Sequence, residues 1–303
     1  MSIRPIKRIV EAKPTIEGAG VKLRRAFGFG NTHEFDPFLL FDDFRNESPE
    51  DFLAGFPWHP HRGIETITYV LAGSVAHGDS LGNKGEMGPG DVQWMTAGSG
   101  ILHQEMPKGD PRGRMHGFQL WANLPSSLKM TDPRYQDIPA RDIPEVTDDD
   151  GTRVRVVCGD FWGKTGPVQG VAADPRYLDV WVPPHKRKTL PVETTRHAFA
   201  YVFEGSGTFR DASQPLAPKT ELVGTPAAGG EGGGETGNRS LVLFDRGDEV
   251  TVQAGDQGIR FLLVSGKPIE EPVAWYGPIV MNTPEQLRQA YEELQDGTFI
   301  KKR

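Results

Sequence analysis

Four residues in the first half of the chain have the types and spacing to hold a metal ion. Two are His59 and His61, in the run Phe56-Pro-Trp-His59-Pro-His61-Arg-Gly-Ile-Glu65. Residues i and i+2 of a strand point to one face, so these imidazoles converge. Pro60 between them has no N–H for a ladder, which puts the segment at a strand start or a sheet edge. The other two are His103 and Glu105, in Ala97-Gly98-Ser-Gly100-Ile-Leu-His103-Gln-Glu105, where the same spacing recurs. Two strands that each offer two such side chains inward can surround one ion. Three imidazoles and a carboxylate suit a first-row divalent metal with open positions, such as iron, nickel, copper or manganese. A closed structural zinc site more often uses cysteines. Glu65 also has inward parity by this count, so spacing alone leaves the carboxylate position open between Glu65 and Glu105. Trp58, Trp94, Met95 and Met106 are near enough in sequence to line a pocket beside the ion.

The elements that must position these residues read as short strands. Apolar runs such as Ile64–Leu71, Asp91–Met95, Phe118–Trp121, Tyr177–Val182, Phe199–Phe203 and Ile259–Val264 alternate and end at Gly or Pro. Thr, Val, Ile, Tyr and Phe fill many of them, which is the chemistry of sandwiches and closed barrels. One helix is expected near the end. Thr283 caps it, Pro284 opens it, Leu287, Ala290, Tyr291 and Leu294 give one apolar face, and Gly297 stops it.

An internal repeat divides the chain. Tyr69-Val-Leu-Ala-Gly73-Ser returns as Tyr201-Val-Phe-Glu-Gly205-Ser, an offset of 132. Gly90-Asp-Val92…Ala97-Gly98 returns as Gly247-Asp-Glu-Val250…Ala254-Gly255, an offset of 157. The second half carries a matching excess, rich in Gly, Pro and Glu, at 212–238, which reads as a flexible insertion rather than a phosphate cradle. The expected organisation is two consecutive β-domains, 1–142 and 151–303. Under these offsets His59 and His61 correspond to Pro191 and Glu193, and His103 and Glu105 to Arg260 and Leu262. The second domain is therefore expected to lack metal ligands.

Composition bounds the function classes. The 303 residues carry a formal net charge of −7, and the basic runs Lys186-Arg187-Lys188 and Lys301-Lys302-Arg303 are short. A nucleic-acid binder would show a basic footprint, so none is expected. The lone cysteine, Cys158, forms no intrachain disulfide and lies in an apolar run. No run approaches the length of a membrane span, and the start lacks the apolar core of a signal peptide. A cytoplasmic monomer is the expectation.

The two motifs resemble those of cupins, and the chain as a whole resembles the pirin family. The resemblance rests on Asp36-Pro-Phe-Leu-Leu-Phe-Asp42, on His59 to Tyr69, on Gly98 to Glu105, on Gln119-Leu-Trp-Ala-Asn-Leu-Pro125 and on Gly277-Pro-Ile-Val-Met-Asn-Thr283. It implies an all-β fold of two tandem, jelly-roll-like cupin barrels with a short C-terminal helix. It implies one divalent metal per chain in the N-terminal barrel, iron first, with manganese, nickel, copper or zinc as alternatives. It assigns the fourth ligand to Glu105, which would also act as the catalytic base, and leaves Glu65 as a group that orients a ligand. It implies dioxygenase chemistry on flavonols such as quercetin, with a small aromatic substrate and O2 as partners. The alternative role is that of a metal- or redox-sensing regulator that binds a transcription factor or a metabolic enzyme.

Overall fold

The computed structural model describes residues 2–210 and 234–301, so most of the expected insertion at 212–238 lies outside the described residues. Among those described, strands dominate, and the all-β expectation holds. The α-helices are a single turn at Thr32–Phe35 and the expected one at Pro284–Gln295. Thr283 caps the latter with a capping box shared with Gln286. Its apolar face packs on Ile279, Met281 and Phe299.

Two compact units interleave along the chain. One is built from Ala12–Pro144, Val156–Arg176 and Gly266–Arg303, the other from Met1–Glu11, Glu145–Arg155 and Tyr177–Ser265. The consecutive division at residues 142 and 151 does not describe this exchange of ends. Motif repetition marks where a fold begins again, but it carries no signal for which barrel a terminal segment joins.

The strands that matter for the site are, in chain order, Ile6–Glu11 (β1), Lys13–Glu17 (β2), Val21–Phe27 (β3), Phe38–Asp43 (β4), Phe56–His61 (β5), Ile64–Ala72 (β6), Ser74–Asp79 (β7), Lys84–Met87 (β8), Val92–Thr96 (β9), Ile101–Lys108 (β10), His116–Asn123 (β11) and Arg134–Ile138 (β12). β1 belongs to the other unit, where it pairs with Ser240–Phe244. The rest form two sheets, one ordered β12-β9-β6-β11-β4-β3-β2 and one ordered β5-β10-β7-β8. Their inner faces meet across a cavity of about 450 Å³. One apolar cluster inside it holds Val21, Leu23, Phe44, Phe52, Val70 and Val75. β10 alternates buried and half-buried residues from Ile101 to Met106, as a strand with one inward face must. β6 is buried on both faces, from Ile64 to Val70.

In the other unit the main sheet runs β1, Ser240–Phe244, His197–Phe209, Glu249–Gly266, Arg176–Val182, Arg153–Cys158, Glu145–Thr147. Gly73 and Gly205 both take a positive φ, +76° and +67°, so the first repeat motif marks the same bend in both units. The second motif does not. Tyr69 pairs with Val92, whereas Tyr201 pairs with Leu241. The counterpart of β9 is therefore Ser240–Phe244, not the strand that begins at Glu249. The edge pair equivalent to β5 and β10 is Arg187–Pro191 with the first part of Glu249–Gly266, where Leu190 faces Val250. The offset of 157 misplaced Arg260 and Leu262 as counterparts of His103 and Glu105. Gly-Asp and Ala-Gly pairs serve any turn, and strand pairing is what identifies equivalent residues.

Candidate metal centre

His59 and His61 sit on β5, which lies at a sheet edge, where Pro60 costs no ladder bond. β5 pairs with β10 so that His103 lies opposite His59. The register then slips, and Glu105 faces Phe56. The extra residue on β5 is a bulge, a device that re-aims side chains beside functional sites. It places the Pro57 carbonyl to accept His59 Nδ1–H at 2.8 Å.

The three imidazoles close into one cluster, with a ligand atom of each within 4.8 Å of the others. His59 Nε2 and His61 Nε2 are 3.1 Å apart. His61 Nδ1 faces the Pro278 carbonyl at 3.1 Å. Both Nδ1 atoms are thus donors to backbone carbonyls, which fixes the tautomer and turns both Nε2 lone pairs to the same point. Neither ring nitrogen of His103 has a hydrogen-bond partner, although both are buried. Burial holds His61 and His103 well below the ordinary imidazole range, and the neighbouring imidazoles push the same way. Three imidazoles whose ring nitrogens converge this closely are a donor set for a cation. The residues present fit a divalent metal.

Glu105 completes the inward face. One carboxylate oxygen lies 3.9 Å from His103 Nε2, and the other is 3.3 Å from the Thr68 hydroxyl. Burial raises its carboxyl above the usual range, against the pull of His59. The single hydrogen of the Thr68 hydroxyl is shared with Gln119 Oε1, the nearer acceptor at 2.8 Å. Spacing missed Thr68 and Gln119. The alternation of β6 could have found the first, but nothing local pairs it with Gln119.

Glu65 is not where parity put it. Pairing is regular from Ile64 to Tyr69, so Glu65 and Thr68 project to opposite faces of β6. Thr68 faces Glu105, and Glu65 faces away. The Glu65 carboxyl accepts from the Thr96 hydroxyl at 2.7 Å and is raised by burial. Trp94, opposite Ile67, shares that far face. Of the four aromatic and sulfur side chains expected around the pocket, Trp58 lines the cavity, while Met95 packs in an apolar cluster with Leu39 and Ile64.

The segment Arg62-Gly63 is tied to residues far along the chain. Arg62 is buried and donates to the carbonyls of Ser99 at 2.7 Å and Phe299 at 2.8 Å. It also pairs with Glu293 at 2.7 Å. Val280 N donates to the Arg62 carbonyl at 3.1 Å. Lys129 Nζ donates to the carbonyls of Gly63 (2.8 Å) and Val280 (3.0 Å) and to Asn123 Oδ1 (2.5 Å). Gly63 is at φ +77°, and a Cβ there would sit 1.9 Å from the Val280 oxygen, so only glycine fits. The motif Gly277 to Thr283 was visible in the sequence, but its role as a brace for His61 was not.

Comparison with known proteins places this arrangement. The chain matches the family described as Pirin over residues 20–122 and the Pirin C-terminal cupin domain over residues 177–300. The chain belongs to the pirin family. A pirin-like protein of Caulobacter vibrioides is 43% identical over 301 residues, covering 99% of this chain and 100% of that one. Among solved pirin and cupin structures, one titled quercetin 2,3-dioxygenase from Acinetobacter baumannii superposes with a TM-score of 0.84 at 29% identity, over 98% of this chain and 99% of that one. A bacterial pirin from Escherichia coli, titled as a complex with nickel(II), superposes with a TM-score of 0.62 at 21% identity, over 86% of this chain and 99% of that one, and shares the fold. This pirin is thus a protein of two cupin domains, with the three-histidine cluster in one of them.

Proposed function

We propose that this pirin is a metal-dependent dioxygenase that opens flavonols such as quercetin, with iron as its working metal. The observation that carries the proposal is the union of three converging imidazoles and Glu105 with an apolar cavity of about 450 Å³, large enough for a drug-sized planar molecule. His59, His61, His103 and Glu105 would hold the ion. When bound, such an ion lowers the pKa of a coordinated hydroxyl and supplies redox chemistry toward dioxygen.

The chain's own residues do the rest. The apolar walls exclude water from the reacting ring. Glu105, raised by burial, is suited to accept the proton of the flavonol 3-hydroxyl at a carboxylate oxygen. Thr68 steadies that carboxylate. Both atoms of O2 enter the opened product, and one ring carbon leaves as carbon monoxide with its oxygen.

The test is oxygen uptake and carbon monoxide release with quercetin, using protein loaded with iron, manganese, nickel or copper. The expected result is turnover that is fastest with iron and lost in Glu105→Ala. No turnover with any of the four overturns the enzyme reading and leaves the regulator.

A further inference from the structure

One wall of the cavity carries a polar stripe. Thr68 lies opposite Gln119, Gln119 opposite Asp42, and Asp42 opposite Arg25, so the four share one face across β6, β11, β4 and β3. All four line the cavity, together with Glu17. At one end of the stripe Thr68 touches Glu105. At the other, Arg25 Nη1 lies 2.8 Å from a Glu17 oxygen. The surrounding wall is apolar, formed by Val21, Leu23, Phe44, Phe52, Val75 and Met115.

The charges on the stripe do not balance. Arg25 donates from Nε and Nη2 to the two Asp42 oxygens at 2.8 and 2.7 Å, and its remaining edge faces Glu17. Among the described residues lining the cavity, Arg25 is the one Lys or Arg, and it answers two carboxylates beside it. Each carboxylate oxygen can still accept a second hydrogen bond. In a cavity of low dielectric, an anion near an excess carboxylate is penalised far more than in water. A neutral hydroxyl placed there finds acceptors.

We infer that Asp42 and Glu17 determine ligand specificity: the cavity takes an uncharged, planar aromatic that lays a hydroxyl-bearing edge along the stripe, and it rejects the same ring system bearing an anionic group. This rests on the reading of the cavity as the substrate site, though not on turnover.

The test is binding of quercetin and of its sulfonated derivative to full-length zinc-loaded protein at neutral pH. Quenching of tryptophan fluorescence reads it, since Trp58 and Trp121 line the cavity. Calorimetry supplies a second measure. Quercetin should bind at least about tenfold more tightly than the sulfonate. Asp42→Asn and Glu17→Gln should each narrow that ratio by about threefold or more, mainly by improving sulfonate binding. Glu17 is partly exposed, so Glu17→Gln keeps the test sound if Asp42→Asn fails to fold. Equal binding of the two ligands, no binding of either, or an unchanged ratio in the folded variants overturns the inference. Discrimination without oxygen uptake by the iron-loaded protein sinks the dioxygenase reading alone. Uptake without discrimination sinks this inference alone.

Discussion

His61 is the residue on which most depends. Its ring is buried, held in one tautomer by the Pro278 carbonyl, and 3.1 Å from His59 Nε2. His61→Ala should cut the metal content to about a tenth or less, read by elemental analysis. Glu105→Ala should also lose metal, and Glu65→Gln should keep it at the wild-type level. Stoichiometric metal in Glu105→Ala with loss in Glu65→Gln would overturn that assignment. The histidines were legible because the i, i+2 rule holds within a strand. Glu65 was misread because the even count from His61 crosses the turn at Gly63, whose φ of +77° resets which face is inward. Asp42 gives a separate test. Burial raises its carboxyl to about 6, against its bonds to Arg25. The folded state therefore holds its proton more tightly than the unfolded state between about pH 4 and 6. This contribution to stability is full below about pH 4 and is lost as pH rises through 6. The stability of the wild type relative to Asp42→Asn should fall by up to about 3 kcal/mol across that window, measured by urea denaturation. A flat difference would refute the assignment.

At the scale of elements, the bulge in β5 and the Arg62-Gly63 turn set the site, and neither announces itself in sequence. Alternation predicts strands, and it did so for β6, β9 and β11. It cannot predict a slip of register, which arises from how two strands meet. Lys129 illustrates the gap. Nothing near it in sequence suggests a buried ammonium, yet its Nζ reaches three oxygens. Burial lowers its pKa to about 7, while three acceptors call for the three hydrogens of the charged form. Lys129→Met keeps most of the stem and leaves those oxygens unpaired. It should cost about 3 kcal/mol in urea denaturation and weaken metal binding. A cost below about 1 kcal/mol would mean water replaces the ammonium.

At the scale of the whole molecule, the clustered candidate ligands fall in one unit only. Metal addition should slow amide exchange in β5 and β10 and leave the strand Glu249–Gly266 unchanged, as read by hydrogen-exchange mass spectrometry. Protection that spreads equally over both strands' regions would refute a site confined to one unit. The doubled architecture was legible from Tyr69 to Gly73 against Tyr201 to Gly205, because a bend that demands a positive φ leaves a glycine behind. The interleaving was not, because β1 and the last strands are too short and too ordinary to name their partners. No described helix is long and apolar enough to cross a membrane.

The carbonyl of Pro278 lies 217 positions beyond the imidazole it holds. A ribosome releases the chain from its N-terminus, so His59, His61, His103 and Glu105 all emerge well before residue 278. For that interval the cell holds a nascent chain with every candidate ligand made and His61 still free to turn. The geometry that would hold an ion is therefore complete only once the end of the chain has arrived to fix the ring.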